Sequence, residues 1–245
     1  TLPSTNRFAL LLLPVPVRTH ALSVKVSPLK SWRNCAYLSS KVSVPTAAKR
    51  AAFFTAAVKG GQWPRMDSIH LQGKTLGIVG TGNIGSEMAR LGRALGMNVI
   101  AWTFNPSSER ASQLGVQYMK MDELLQTADV VSLHVKLTDD SRHLIGKREL
   151  VLMKSNALLI NVARGDVVDT EALVEALNSG HLGGAAIDVY DEEPPPADHP
   201  LLACDQVILT PHCADMTPEG VDLLNEGAVD NVIAFLNGEP QNVVT

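Results

Sequence analysis

Six short apolar runs, most of them rich in β-branched residues, recur along the second part of the chain: "TLGIV" (75–79), "NVIAWT" (98–103), "DVVSL" (129–133), "NALLINV" (156–162), "GAAIDV" (184–189) and "QVILT" (206–210). Most read as continuously apolar rather than alternating, the pattern of strands buried on both faces of a parallel sheet. Helical stretches separate them. Ile84, Met88, Leu91 and Leu95 fall on one stripe of a helix over 84–96. A second helix is expected over 170–179, ended by Gly180, and Thr217-Pro218 reads as N-cap and first residue of a last helix running to Gly238. Strand and helix alternating in this way predict an α/β fold with a doubly wound parallel sheet, Rossmann-like in organisation.

The first strand runs into "GIVGTGNIG", which sets Gly80, Gly82 and Gly85 in the spacing G-x-G-x-x-G. That spacing is a weak signal alone and a strong one between a strand and a helix. Gly80 allows the tight turn, Gly82 lets the backbone approach a pyrophosphate, and Gly85 lets helix pack on strand. The phosphates are expected on the amides of Asn83 and Ile84 at the helix N-terminus. An acid usually follows the second strand and holds the ribose of NAD. Here Thr103, Phe104 and Asn105 stand in that region, and no carboxylate appears before Glu109. The expected cofactor is NAD, with Thr103 beside its ribose. NADP stays open, since Arg110 or the serines at 107 and 108 offer partners for a 2′-phosphate.

Polar residues also cluster after the last three strands. "NALLINV" leads into Ala163-Arg164-Gly165, "GAAIDV" into "YDEEPPP" with Glu192 and Glu193, and "QVILT" into Pro211-His212. In a parallel sheet these ends lie along one edge, the edge where a dinucleotide binds. A surface ion pair, a capping acid and a strand-end histidine would each explain one of them. Recurrence at three strand ends points to a shared site.

The segments "GKTLGIVGTGNIG", "INVARGDVVD", "GAAIDVYDEEP" and "LTPHCADMT", in this order, resemble the D-isomer-specific 2-hydroxyacid dehydrogenases over roughly residues 67–240. The resemblance implies an oxidoreductase moving a hydride between a nicotinamide cofactor and a small 2-oxo or 2-hydroxy acid. It implies that Arg164 binds the substrate carboxylate and polarises its carbonyl, that His212 is the general acid/base, and that Glu193 is its paired carboxylate. A carboxylate beside an imidazole favours the protonated ring, and an arginine offers a planar fork to a carboxylate. Asp188 matches a position near the nicotinamide carboxamide, with a purely structural acid as the competing reading. Val162 and Ala163 are counted with the cofactor site, as is His134, expected near the adenosine half. A homodimer is implied, with residues 46–66 as the arm between subunits. Two departures stand out: Lys136 where proline is usual and Asp215 where small residues are common.

Charge divides the chain unevenly. Residues 1–66 hold ten Lys/Arg and no acid, whereas the remainder holds 11 basic and 25 acidic groups, for a total of −4. Such a balance argues against nucleic acid as a partner. Three cysteines and scattered histidines offer neither a disulfide framework nor a metal site, so a reducing, cytoplasmic setting is expected. The run "FALLLLPVPV" (8–17) is too short to span a bilayer, though its acid-free surroundings are compatible with organellar targeting. The expected division is a basic segment over 1–45 without regular order (disordered, or a remnant of a substrate domain), an interdomain helix over 46–66, a dinucleotide-binding unit over 67–215 and a return helix over 216–245. The substrate half of the family is expected to be short or divergent here. Two alternatives therefore accompany the enzyme reading: a non-catalytic NAD(H)-binding interaction module, and a truncated inactive fragment.

Overall fold

The structure, a computed structural model, describes residues 37–213 and 216–243. Seven parallel strands form one sheet: β1 Thr75–Val79, β2 Asn98–Trp102, β3 Gln117–Tyr118, β4 Val130–Leu133, β5 Leu158–Asn161, β6 Gly184–Ile187 and β7 Val207–Leu209, in the order β3-β2-β1-β4-β5-β6-β7. All six apolar runs became strands, the first untrimmed and the others shortened by one to three residues. The two-residue edge strand β3 was not legible, because its half-exposed residues carry no apolar run. The order reverses between β1 and β4, and a doubly wound sheet opens its binding crevice at that switch point.

Both faces of the sheet are covered. On one, Leu76, Ile78, Leu158 and Ile160 pack with Met88, Ala89 and Val44. On the other, Val79, Val131 and Leu159 pack with Leu124, Leu150, Leu173 and Leu177. Successive strand residues thus alternate between two buried layers, which is why the runs are apolar throughout. The helix after β1, Asn83–Ala94, buries Gly85, Met88, Ala89 and Gly92. Of the expected stripe, Met88 is buried and Leu91 and Leu95 pack, partly buried, against the same core, while Ile84 is partly buried. Small residues win the innermost positions because the helix lies close to the sheet. A Cβ on Gly92 would stand 2.6 Å from the Leu76 side chain. The helix Thr170–Asn178 ends before Gly180, which has φ of 72°. The last helix, Pro218–Leu236, is capped by the Thr217 side chain, which accepts from the Gly220 amide at 3.0 Å, and it stops two residues short of Gly238.

The region before β1 differs from expectation in two ways. Residues 1–36 lie outside the described residues, but 37–45, expected without order, belong to a helix Tyr37–Ala48 whose Val44, Ala47 and Ala48 are buried in the core. The interdomain helix expected over 46–66 is not one helix: Arg50 takes a left-handed φ of 50°, and a second helix, Ala51–Lys59, starts after it. The Ala48 carbonyl accepts from the Ile69 amide at 2.9 Å instead of continuing the helical ladder. A tertiary hydrogen bond therefore overrides an alanine-rich sequence that favours one continuous helix.

Candidate active site

The glycine loop crosses the C-terminal ends of β1, β2 and β4. Gly80 has φ of 96°, and its amide donates to the Trp102 carbonyl at 2.7 Å. A Cβ there would meet the His134 backbone at 2.8 Å, and one on Gly85 would stand 1.9 Å from the Gly80 carbonyl oxygen. Both glycines are required by close approach of backbone to backbone. Gly82 differs, since a Cβ there would point into open space. That space adjoins the start of the Asn83–Ala94 helix, whose first intrahelical bond runs from the Ser86 amide to the Gly82 carbonyl at 2.9 Å. The amides of Asn83 and Ile84 precede that bond and stay available to an anion. Thr103 follows Trp102 directly on the same edge.

His134 lies against this loop, at the end of β4. Its Nε2 is 2.9 Å from the Ser132 hydroxyl, while its Nδ1 is buried without a protein partner. Burial pulls the imidazole down to about 4, so the ring is neutral at ordinary pH.

Arg164 follows β5 on a turn clipped by one side chain. Asn161, buried at the strand end, accepts from the Ala163 amide at 3.1 Å and donates to the Arg164 carbonyl at 2.9 Å. The exposed Arg164 guanidinium donates to the Ala163 carbonyl at 2.7 Å. Gly165 then presses on the loop after β6: a Cβ on it would lie about 2 Å from the Tyr190 carbonyl. Ala163 is buried and Val162 partly so, which makes them supports of this turn.

His212 and Glu193 meet across the loops after β7 and β6. His212 Nδ1 lies 2.7 Å from Glu193 Oε2, and the Tyr190 amide donates to Glu193 Oε1 at 3.0 Å. Partial burial works against ionisation of Glu193. The hydrogen bond with His212, the Tyr190 amide, and the positive charge of His212 and Arg164 outweigh it and hold the carboxyl below its usual range. With Nδ1–H donating to the carboxylate, the other ring nitrogen is left for a reacting group. His212 itself takes φ of 48°, a region that costs a non-glycine residue roughly 1 kcal/mol. Asp188, almost fully buried, accepts from the Thr210 hydroxyl and from the Cys213 amide, so it grips the chain on both sides of His212.

The family model described as "D-isomer specific 2-hydroxyacid dehydrogenase, NAD binding domain" matches residues 43–214. The chain belongs to this family. Among curated relatives, it is 42% identical over 208 residues to a glyoxylate reductase of Aeropyrum pernix, covering 81% of this chain and 62% of that protein. It is 41% identical over 202 residues to a D-3-phosphoglycerate dehydrogenase of Methanocaldococcus jannaschii, covering 81% and 38%. Among solved structures, a D-lactate dehydrogenase of Aquifex aeolicus complexed with NAD and lactic acid superposes with a TM-score of 0.75 at 34% identity, covering 84% of this chain and 67% of that one. The chain thus spans less than two thirds of these curated relatives.

The residues present in this dehydrogenase domain fit a nicotinamide dinucleotide. The open side of Gly82 and the free amides beyond it suit a pyrophosphate. Asp188 Oδ2, buried without a protein partner, is an acceptor left for a donor such as a carboxamide NH2. Two functional positions escaped the sequence reading, Asn161 and Tyr190. Asparagine at a strand end and an aromatic residue in a loop are ordinary, and only their contacts reveal their work. Among the described residues no group of His, Cys, Asp or Glu could hold a metal, and no helix is long and apolar enough to cross a membrane.

Proposed function

We propose that this chain reduces a small 2-oxo acid to its 2-hydroxy acid with NADH, and runs the reverse reaction with NAD. The observation that carries the reading is the 2.7 Å contact between His212 and Glu193 on the strand edge that also bears the glycine loop. In this reading Gly82, Asn83 and Ile84 hold the pyrophosphate, Gly80 and Gly85 shape the loop, Thr103 and His134 flank the adenosine half, and Val162, Ala163 and Asp188 line the nicotinamide end. The cofactor supplies or accepts the hydride. Arg164 binds the substrate carboxylate through its planar fork and draws charge from the neighbouring carbonyl. His212, protonated and backed by the Glu193 carboxylate, gives its proton to the carbonyl oxygen as the alkoxide forms. Oxidation reverses the transfer, with His212 as base.

The test is oxidation of NADH and NADPH by the purified chain with glyoxylate, hydroxypyruvate and pyruvate, repeated with His212→Ala. Turnover that disappears in the variant, with NADH affinity nearly intact, supports the roles. Equal turnover in both removes His212 from the reaction. The reading extends to a cytoplasmic homodimer, with the dinucleotide-binding unit over 67–215 and residues 46–66 as the arm between subunits. Elution as a monomer would sink the assembly.

A second reading, nucleotide binding without turnover, is favoured by one observation. The helix Pro218–Leu236 leaves Val229, Val232, Ile233, Phe235 and Leu236 exposed and buries only Gly220. A face of that kind marks an interaction surface. NADH binding with no turnover on any of the three acids would select it.

A further inference from the structure

The loop that carries Glu193 contains a second histidine–carboxylate pair, and the histidine of this one is buried. His199 is 6% exposed, and its Nε2 lies 3.0 Å from Asp191 Oδ1. Its other ring nitrogen, Nδ1, accepts from the Leu201 amide at 3.3 Å. That bond assigns the proton of the neutral ring to Nε2, so His199 donates to Asp191. The same Asp191 oxygen accepts from the Glu192 amide at 3.2 Å. Burial opposes ionisation of Asp191, yet the His199 hydrogen bond and the local amides hold its carboxyl below the usual range. The His199 ring also stands edge-on to the Tyr190 ring, centroids 5.9 Å apart at 89°.

Two bonds of Tyr190 carry this frame to the exposed pair. Tyr190 donates through its amide to Glu193 Oε1 and through its hydroxyl to the Thr210 carbonyl at 3.1 Å, two residues before His212. Asp191 and Glu192 form the turn that leads directly into Glu193. Glu193 and His212 are both exposed side chains, and exposed ion pairs gain little from their own attraction. Their geometry must then come from what lies underneath.

We infer that His199 is a positioning residue for the Glu193–His212 couple, acting through Asp191 and Tyr190 to aim the Glu193 carboxylate. The inference rests on the reading of that couple as the acid/base pair. It predicts that a change at a buried side chain, 13 residues from His212 in the chain, alters proton transfer and leaves nucleotide binding alone.

The experiment compares the full chain with His199→Ala, His199→Gln and Asp191→Ala. Two readouts are taken. One is the deshielded imidazole N–H proton of His212 in NMR spectra of the 15N-labelled protein, assigned by its loss in His212→Ala. The other is kcat and KM for glyoxylate, with NADH affinity measured by fluorescence titration. In His199→Ala the N–H resonance disappears into exchange with water and kcat falls by about 100-fold, the scale expected of a misplacement near 1 Å. KM and NADH affinity change by less than about threefold. His199→Gln keeps a donor towards Asp191 and recovers part of both signals. If the buried alanine variant fails to fold, Asp191→Ala breaks the same bond from its exposed end and gives the same two losses. Retention of the N–H resonance with kcat within twofold of the parent, in either variant, overturns the inference. A parent chain that shows the resonance but no turnover sinks the proposed activity alone, and the resonance in the variants still decides the positioning role.

Discussion

Asp188 reaches from the end of β6 to the segment that bears His212 and fastens it on both sides, through the Thr210 hydroxyl and the Cys213 amide. His212 sits between these fastenings with a left-handed φ of 48°. The local strain persists because the bonds around it over-determine the backbone, a situation common where a side chain must be aimed.

Removing that clamp should loosen the strained segment. Asp188→Ala leaves the Thr210 hydroxyl without its buried acceptor, and a lost hydrogen bond to a buried charged group costs about 1.5–3 kcal/mol. Urea denaturation at pH 7 should register a loss of that size, together with weaker NADH binding if Asp188 Oδ2 meets the nicotinamide. A stability within about 0.5 kcal/mol of the parent would mean that the clamp is not under tension.

Glu193→Gln tests the exposed pair. The amide keeps the shape of the side chain but loses the charge of the oxygen that lies 2.7 Å from His212 Nδ1, and a charge-assisted hydrogen bond is about twice as strong as a neutral one. The rate of glyoxylate reduction should fall by roughly tenfold or more, with NADH affinity nearly unchanged. A rate equal to that of the parent removes Glu193 from the mechanism.

Two glycines of one loop should fail in different ways. Gly85→Ala places a methyl group 1.9 Å from the Gly80 carbonyl oxygen, so the helix must withdraw from the strand, at a cost of about 1–3 kcal/mol or more. Gly82→Ala meets nothing within 4 Å and should leave thermal stability nearly unchanged while weakening NADH binding at least tenfold. Loss of stability in Gly82→Ala, or normal NADH binding by it, would disconnect this side of the loop from the cofactor.

His134 gives a stability prediction with a definite sign. Its folded value of about 4 lies below the ordinary histidine value of 6.5. Below pH 6.5 the unfolded chain takes up a proton that the folded chain refuses. Stability is therefore full above that pH and falls towards pH 4, with a slope of up to about 1.4 kcal/mol per unit from this group. Urea denaturation at pH 7 and pH 5 should show a smaller difference in His134→Gln than in the parent. An equal difference would mean that His134 charges freely in the folded protein.

The amino-acid sequence by itself determined the six long strands, the glycine loop and the three strand ends that carry Arg164, Glu193 and His212. These are local signals: an apolar run must be buried, and a G-x-G-x-x-G between strand and helix has one backbone path. Tertiary structure decided what joins them. The Asn161 clip on the Arg164 turn, the Tyr190 hydroxyl on Thr210 and the Asp188 grip around His212 link residues of ordinary type across loops, the last two over 20 and 22 positions. The break at Arg50 likewise follows from the Ile69 amide taking the Ala48 carbonyl. Periodicity and spacing record which face a residue must bury. They hold no trace of which polar atom a folded neighbour will bring within 3 Å, because that depends on how the sheet lays its loops side by side.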